Sequence, residues 1–208
     1  MRASLMYLVL TSAAVALALA GCPEPPAPDT GEGMPMPPTD TAPGPPTDTG
    51  TTAGAWSITS SAFEDGATIP QKYTADGEDV SPPLSFEGAP AGAMEIALIC
   101  HDPDAPREGG WTHWVVYGMA PEIGGLPEAV PAEERIEEPG LVQGVNSGEK
   151  IGYMGPSPPA GPAHRYQFTA YALSEKLDLE PGATKAELEA AMEGKVIGEA
   201  MLTGMYGR

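Results

Sequence analysis

The sequence predicts a mainly β domain carried behind a long non-globular N-terminal segment. Three observations predict it. From Trp56 onward the apolar runs are short and are punctuated throughout by Gly and Pro, the pattern of strands joined by irregular loops. Four segments, Ser57–Phe63, Met94–Cys100, Trp111–Met119 and Arg165–Leu173, show alternation or a brief continuous apolar run. Only one segment, near the C-terminus, carries a full set of helix signals.

Residues 1–21 read as an export signal. Arg2 supplies a positive charge, and an apolar stretch from about Leu5 to Ala20 follows that is short for a membrane span and ends in small residues. The ending Leu19-Ala20-Gly21-Cys22 resembles the bacterial lipobox. That resemblance implies cleavage before Cys22 and acylation of its thiol and new amine. Two or three acyl chains on one residue hold stably to a bilayer, where one is marginal. The expected location is therefore the extracytoplasmic side of a bacterial membrane, with the lipid bilayer as a partner through Cys22.

Residues 22–55 differ sharply in composition. Pro, Thr, Gly, Asp and Ala dominate, Pro37-Pro38-Thr39-Asp40-Thr41 is nearly repeated as Pro45-Pro46-Thr47-Asp48-Thr49, and no basic residue occurs. Such a segment buries too little surface to offset its ordering entropy, and its prolines favour extended conformations. It reads as a disordered tether. Residues 56–208 then leave roughly 150 residues, enough for a sizeable core.

Within this domain Ile96–Cys100 is an apolar run, and Cys100 reads as a small core residue. The helix follows Pro181-Gly182. Thr184 and Glu187 form a capping box, Ala186, Leu188, Ala190, Ala191 and Met192 are good helix formers, and Gly194 ends it. Val196–Leu202 reads as a last strand, with Thr203–Arg208 as a closing tail.

The formal charge of −19, from 29 acidic and 10 basic residues, excludes nucleic acid as a partner, because the chain has little to exchange for condensed counterions. The chemistry concentrates around the chain's three histidines. His101 precedes Asp102-Pro103-Asp104-Ala105-Pro106, where proline stiffens a loop just past a strand end. His113 lies in Trp111-Thr112-His113-Trp114, and regular alternation would put Trp111, His113, Val115 and Tyr117 on one face. His164 begins a strand in which Tyr166 and Phe168 share its face and Arg165 and Gln167 take the other. Before it, residues 152–162 hold three Gly and four Pro; Gly155 permits close backbone approach, and N–H groups there could hold an oxyanion. Arg165 reads as a structural anchor pairing with Asp102 or Asp104, and Trp111 as a second anchor.

Asp102-Pro103-Asp104-Ala105-Pro106, Trp111-x-His113-Trp114 and Tyr153-x-Gly155-Pro156-x-Pro158-Pro159 leading to His164-Arg165-Tyr166 resemble the phosphatidylethanolamine-binding protein family. Ile69-Pro70, Tyr73-Thr74-x-Asp76-Gly77, Ser81-Pro82-Pro83-Leu84 and the ending Gly194-x-Val196-x-Gly198-x-Ala200-x-Leu202-x-Gly204-x-Tyr206 are similar to its bacterial, Raf kinase inhibitor-like branch. The resemblance covers about Ser57 to Arg208. It implies a central antiparallel sheet, a second smaller sheet and a few peripheral helices. It also implies a pocket for phosphate, a carboxylate or a phosphorylated head group, built here from Asp102, Asp104, Pro106, His113, Gly155, His164 and Tyr166. Ser157 stands where bacterial members often have Cys, and Phe86 where many have Trp.

The expected function is a membrane-tethered, non-catalytic binding module for a small anion or phospholipid head group. The two imidazoles would act as donors, with binding strengthening as pH falls toward about 6. The alternative is an inhibitor or regulator of an extracytoplasmic protein partner. A hydrolase using Ser157 lacks a Gly-x-Ser-x-Gly elbow. A metal site lacks compact His-Glu-x-x-His spacing, and no cofactor is expected.

Overall fold

In the computed structural model, which describes residues 55–208, the chain runs through nine strands and one α-helix. The strands are β1 (Ser57–Thr59), β2 (Leu84–Glu87), β3 (Glu95–Asp102), β4 (Trp111–Met119), β5 (Gly125–Leu126), β6 (Arg135–Ile136), β7 (Leu141–Gln143), β8 (His164–Leu173) and β9 (Val196–Tyr206). The helix α1 (Lys185–Met192) lies between β8 and β9, and a single 3-10 turn spans Gln71–Tyr73. A six-stranded antiparallel sheet has the order β6-β7-β4-β3-β8-β9, and a smaller antiparallel sheet has the order β1-β2-β5. The fold is mainly β with two sheets, as expected.

The position of β3 follows from its composition. It is apolar on both faces, so both must be covered, and it lies in the large sheet between β4 and β8. Ile96, Leu98 and Cys100 enter a core shared with Ile58, Leu84 and Phe86 of the small sheet. Ala97 and Ile99 face the opposite way, into a second core closed by Leu188 and Met192 of α1. Cys100 is the core residue expected of it; burial raises its thiol pKa well above the ordinary value. Glu95, buried at the start of β3, accepts the N–H groups of Gly118 and Leu177, one on each carboxylate oxygen, at 2.9 Å. Paired in this way, a buried carboxylate is tolerable.

Helix α1 begins where its cap residues dictate. The Thr184 hydroxyl accepts the Glu187 N–H at 3.3 Å and the Glu187 carboxylate accepts the Thr184 N–H at 2.8 Å. With only eight residues the helix has little intrinsic stability, so its hold comes from Leu188 and Met192, one turn apart and buried against the sheet.

Three boundaries differ from the sequence reading. β1 stops at Thr59, because the Ser60 hydroxyl donates to the Pro83 carbonyl and accepts the Ala62 N–H, turning the chain. Phe63 still reaches the core from the loop. β9 continues to Tyr206, so most of the expected tail is strand. It pairs with β8 from Leu173↔Val196 to His164↔Tyr206, and its outer edge is bonded by Gly66, Ala67 and Ile69. Strand β3 extends to Asp102, which fixes that side chain at a strand end rather than in a loop, beside His164 at the start of β8.

The fourth difference concerns facing. Cys100 pairs with Trp114 and His101 with Thr112, so His113 is one extra residue in β4. This β-bulge breaks the alternation. Val115 and Tyr117 turn to the helix side, while His113 sits edge-on to Tyr166 on the Trp114 side, with ring centroids 5.0 Å apart.

Two substitutions separate core from cap. Leu98→Ala, at a fully buried position, should cost about 2–5 kcal/mol. Thr184→Ala should cost about 1 kcal/mol. Equilibrium denaturant titrations of the full chain check both, and equal costs would contradict the packing described.

Candidate functional site

The antiparallel order brings the end of β3 beside the starts of β4 and β8, so Asp102, His113, His164 and Tyr166 meet at one end of the large sheet. With the loop 153–159 they enclose a cavity of about 410 Å³. Of the residues expected to bind, Asp102, Pro106, His113, Gly155, His164 and Tyr166 line it, and so does Trp111.

Asp102 is buried, and its carboxylate is committed. One oxygen accepts the Asp104 N–H at 2.8 Å; the other lies 2.8 Å from His164 Nδ1. The carboxylate therefore orients the imidazole and restrains the loop after β3, leaving Nε2 as the free nitrogen of His164.

His113 is held from the opposite wall. Its Nδ1 lies 2.6 Å from the Met154 carbonyl oxygen, which only accepts, so Nδ1 carries the hydrogen. The Met154 N–H returns a bond to the His113 carbonyl at 2.9 Å. Burial, the largest influence, pushes the His113 pKa below its ordinary value, against the opposing pull of the Met154 carbonyl and Asp102. The ring is neutral at neutral pH and presents a lone pair on Nε2. Burial thus works against the expectation that His113 acts as a protonated donor near pH 6.

Tyr166 is 1% exposed, and its hydroxyl has no hydrogen-bond partner among the described residues. Burial raises its phenol pKa, so it remains a proton donor. An unpaired hydroxyl in a cavity wall is costly unless something in the cavity bonds it.

Two expected roles change. Asp104 does not line the cavity. It takes Arg165 in a bidentate pair at 2.7 and 2.9 Å and also accepts the Arg165 N–H, so it lies on the opposite side of β8 from the pocket. The guanidinium holds its carboxyl down at about 2. Arg165 is thus paired with Asp104, one of its two expected partners. Gly155 lines the cavity, but its N–H is spent on Asp79 Oδ1 at 2.6 Å. A Cβ there would stand 2.7 Å from that oxygen and from Thr74 Cα, so glycine is needed for backbone approach. Pro156, Pro158 and Pro159 have no N–H, so within residues 155–159 Ser157 has the backbone donor that is unpartnered among the described residues.

Several contacts carried no sequence signal. Asp79 adopts the left-handed conformation, at φ 57°, to meet Gly155. The Tyr153 hydroxyl donates to the Tyr73 carbonyl at 2.8 Å, and Ala75 N–H bonds the Pro156 carbonyl at 3.0 Å, docking the proline loop onto residues 73–79. Arg107 lies over the Trp111 ring, 5.1 Å from its centroid, and lines the cavity. Each contact joins residues distant in sequence or depends on loop geometry. The third histidine, His101, faces away, with Nδ1 3.4 Å from the Thr112 hydroxyl. Neither pocket imidazole is bonded to the Ser157 hydroxyl. Among the described residues no three His, Cys, Asp or Glu side chains converge as a metal site. The signal, Cys22 and the tether up to residue 54 lie outside the described residues.

Comparison with known proteins agrees with this fold. Residues 59–207 match the family model of the phosphatidylethanolamine-binding proteins. A UPF0098 protein of Methanothermobacter thermautotrophicus is 53% identical over 147 residues, covering 71% of this chain and 95% of that relative. A UPF0098 protein of Aquifex aeolicus is 42% identical over 153 residues, covering 73% of this chain and 88% of that relative. The crystal structure of a phosphatidylethanolamine-binding protein homolog from Chlamydia trachomatis superposes with a TM-score of 0.67 at 44% identity, covering 74% of this chain and 98% of that one. Escherichia coli YbcL, described as a member of the mammalian family, gives a TM-score of 0.67 at 27% identity, with the same coverage. The chain belongs to the phosphatidylethanolamine-binding protein family.

Proposed function

We propose that the domain is a binding module that holds a small oxyanion, a phosphate-like or carboxylate group, in the cavity at the end of β3, β4 and β8. The observation that carries this reading is the buried Tyr166 hydroxyl, a donor with no partner among the described residues in a cavity wall. The Ser157 N–H adds a second donor. The one carboxylate in the lining, Asp102, already accepts two bonds, which reduces its repulsion of an incoming anion. Arg107, stacked on Trp111, places a positive charge in the lining. A cavity of about 410 Å³ falls within the range for small-molecule sites and accepts a small ion or a head group.

The module is displayed outside the cytoplasm. Cleavage after Gly21 and acylation of Cys22 anchor it, and residues 23–55 hold the domain clear of the bilayer. In that setting it takes its ligand from the surrounding fluid or the membrane surface. The chain's net charge of −19 disfavours close contact with anionic lipid.

Tyr166→Phe keeps the ring and removes only the donor. It should weaken phosphate binding about tenfold, the cost of about one hydrogen bond to a charged group. Isothermal titration calorimetry reads the change, and unaltered affinity would remove the observation on which the reading stands. Cys22→Ala should move the expressed protein from the membrane to the soluble fraction and abolish incorporation of labelled fatty acid. Retention in the membrane with label intact would sink the anchor.

A further inference from the structure

Three of the four large apolar side chains that stand exposed among the described residues sit on one strand: Val196, Ile197 and Met201 of β9. The same strand carries an open backbone edge. We propose that the edge of β9 at Glu199 and Met201 is a docking site for an extended segment of another protein, one that carries a Lys or Arg among apolar residues and adds to the large sheet as a further strand. The site lies outside the cavity lining and does not depend on what the cavity holds.

The edge follows from the register. β9 is the last strand of its sheet, so one side of its backbone has no strand neighbour. Near its end the outward groups are covered. Met205 bonds Ala67 and Ile69, each at 2.8 Å. The Thr203 carbonyl accepts the Gly66 N–H at 2.7 Å, and the Thr203 N–H donates to Asp65 Oδ1 at 2.8 Å. Outward-pointing residues alternate along a strand, so Met201 and Glu199 come next. The outward N–H and C=O of both bond nothing among the described residues. A β-bulge opposite Leu173 closes this stretch at its other end. An uncovered edge of this kind pairs readily with an added strand.

The side chains define what fits. Ala200 and Leu202 enter the core shared with the small sheet, so Glu199 and Met201 face the other way, where both are exposed. In an antiparallel pair the residue opposite Glu199 stands on that same face, about 5.5 Å away between Cα atoms. A residue two positions along from it lies opposite Met201, and an apolar side chain there covers the thioether.

Charge selects the central residue. Glu199 has no ion pair among the described residues. Glu189 of α1 lies near it, since both carboxylates act on the Tyr171 phenol. Exposed Glu64 and Asp65 stand at the covered end of the edge. Lys195, just before β9, turns its ammonium onto the Ala191 carbonyl at 2.8 Å. A cationic side chain opposite Glu199 meets an acidic strip, and a carboxylate there meets like charge. Two other occupants fit worse. A second copy brings its own Glu199 beside this one and a further net charge of −19, and residues 22–55 of this chain contain no basic residue.

The test uses short capped peptides of alternating Thr and Val with a central Lys, the same peptide with Glu in place of Lys, and the Lys peptide methylated on its pairing backbone nitrogens. Each is titrated into the full chain at low ionic strength and followed through the NMR amide signals. The Lys peptide should shift the Glu199 and Met201 amides and slow their hydrogen exchange. It should bind at least about fivefold more tightly than the Glu peptide, and the methylated peptide should not bind. Glu199→Lys, at an exposed position, should reverse the order of the two charged peptides. Unmoved Glu199 and Met201 amides overturn the inference. Equal binding of the Lys and Glu peptides overturns the basic partner, as does self-association of the chain through this edge in sedimentation.

Discussion

One extra residue in β4 decides whether this protein has a pocket. In a regular strand His113 would project with Val115 and Tyr117 toward α1, into a core already filled by Leu188 and Met192. The bulge instead places His113 beside Tyr166. A bulge sacrifices ladder bonding locally, so something must repair it. Here the repair is the pair of bonds between His113 and Met154, one through each residue's carbonyl. The same two bonds seat the proline loop as the second wall. Re-aiming of the imidazole and closure of the cavity are one event.

That loop gains rigidity from having few choices. Prolines at 156, 158 and 159 fix backbone angles and remove donors, so little ordering entropy is lost when it docks. Three of its polar groups are tied to residues 73–79: the Tyr153 hydroxyl, the Gly155 N–H and the Pro156 carbonyl. Asp79 adopts a conformation uncommon for a residue with a side chain, which costs energy unless a bond of this kind compensates. A wall built this way can face an empty or filled cavity without moving, which is the property a binding site needs.

How much of this was legible in sequence follows from the range of each interaction. Helix α1 was read to its cap because Thr184, Glu187 and Leu188 act within one turn. β4 was placed to the residue, since its apolar run is bounded by Gly110 and Pro121. The motif resemblance brought six of the seven named residues to one cavity. It failed at Asp104, whose choice between pocket and Arg165 depends on the direction in which the loop leaves β3. It misread the Gly155 N–H because the acceptor, Asp79, lies 76 residues away. The face of His113 could not be read, because a bulge leaves no mark in an alternating pattern. The end of β1 was missed because Ser60 bonds to Pro83, across the small sheet.

The proposed anion site, in a chain of net charge −19, looks contradictory until distances are considered. Screening at physiological ionic strength confines a surface charge's influence to about 8 Å, so only the charges near the cavity weigh on its contents. Those carboxylates are largely matched. Asp102 faces His164, Asp104 is closed by Arg165, and Asp76 is clasped by Arg208 and the Tyr206 hydroxyl. The acidic remainder sets how the molecule meets other surfaces and helps keep it soluble. On the proposed reading, what enters the cavity depends on the donors that line it, the Tyr166 hydroxyl, the Ser157 N–H and the Arg107 guanidinium, rather than on net charge.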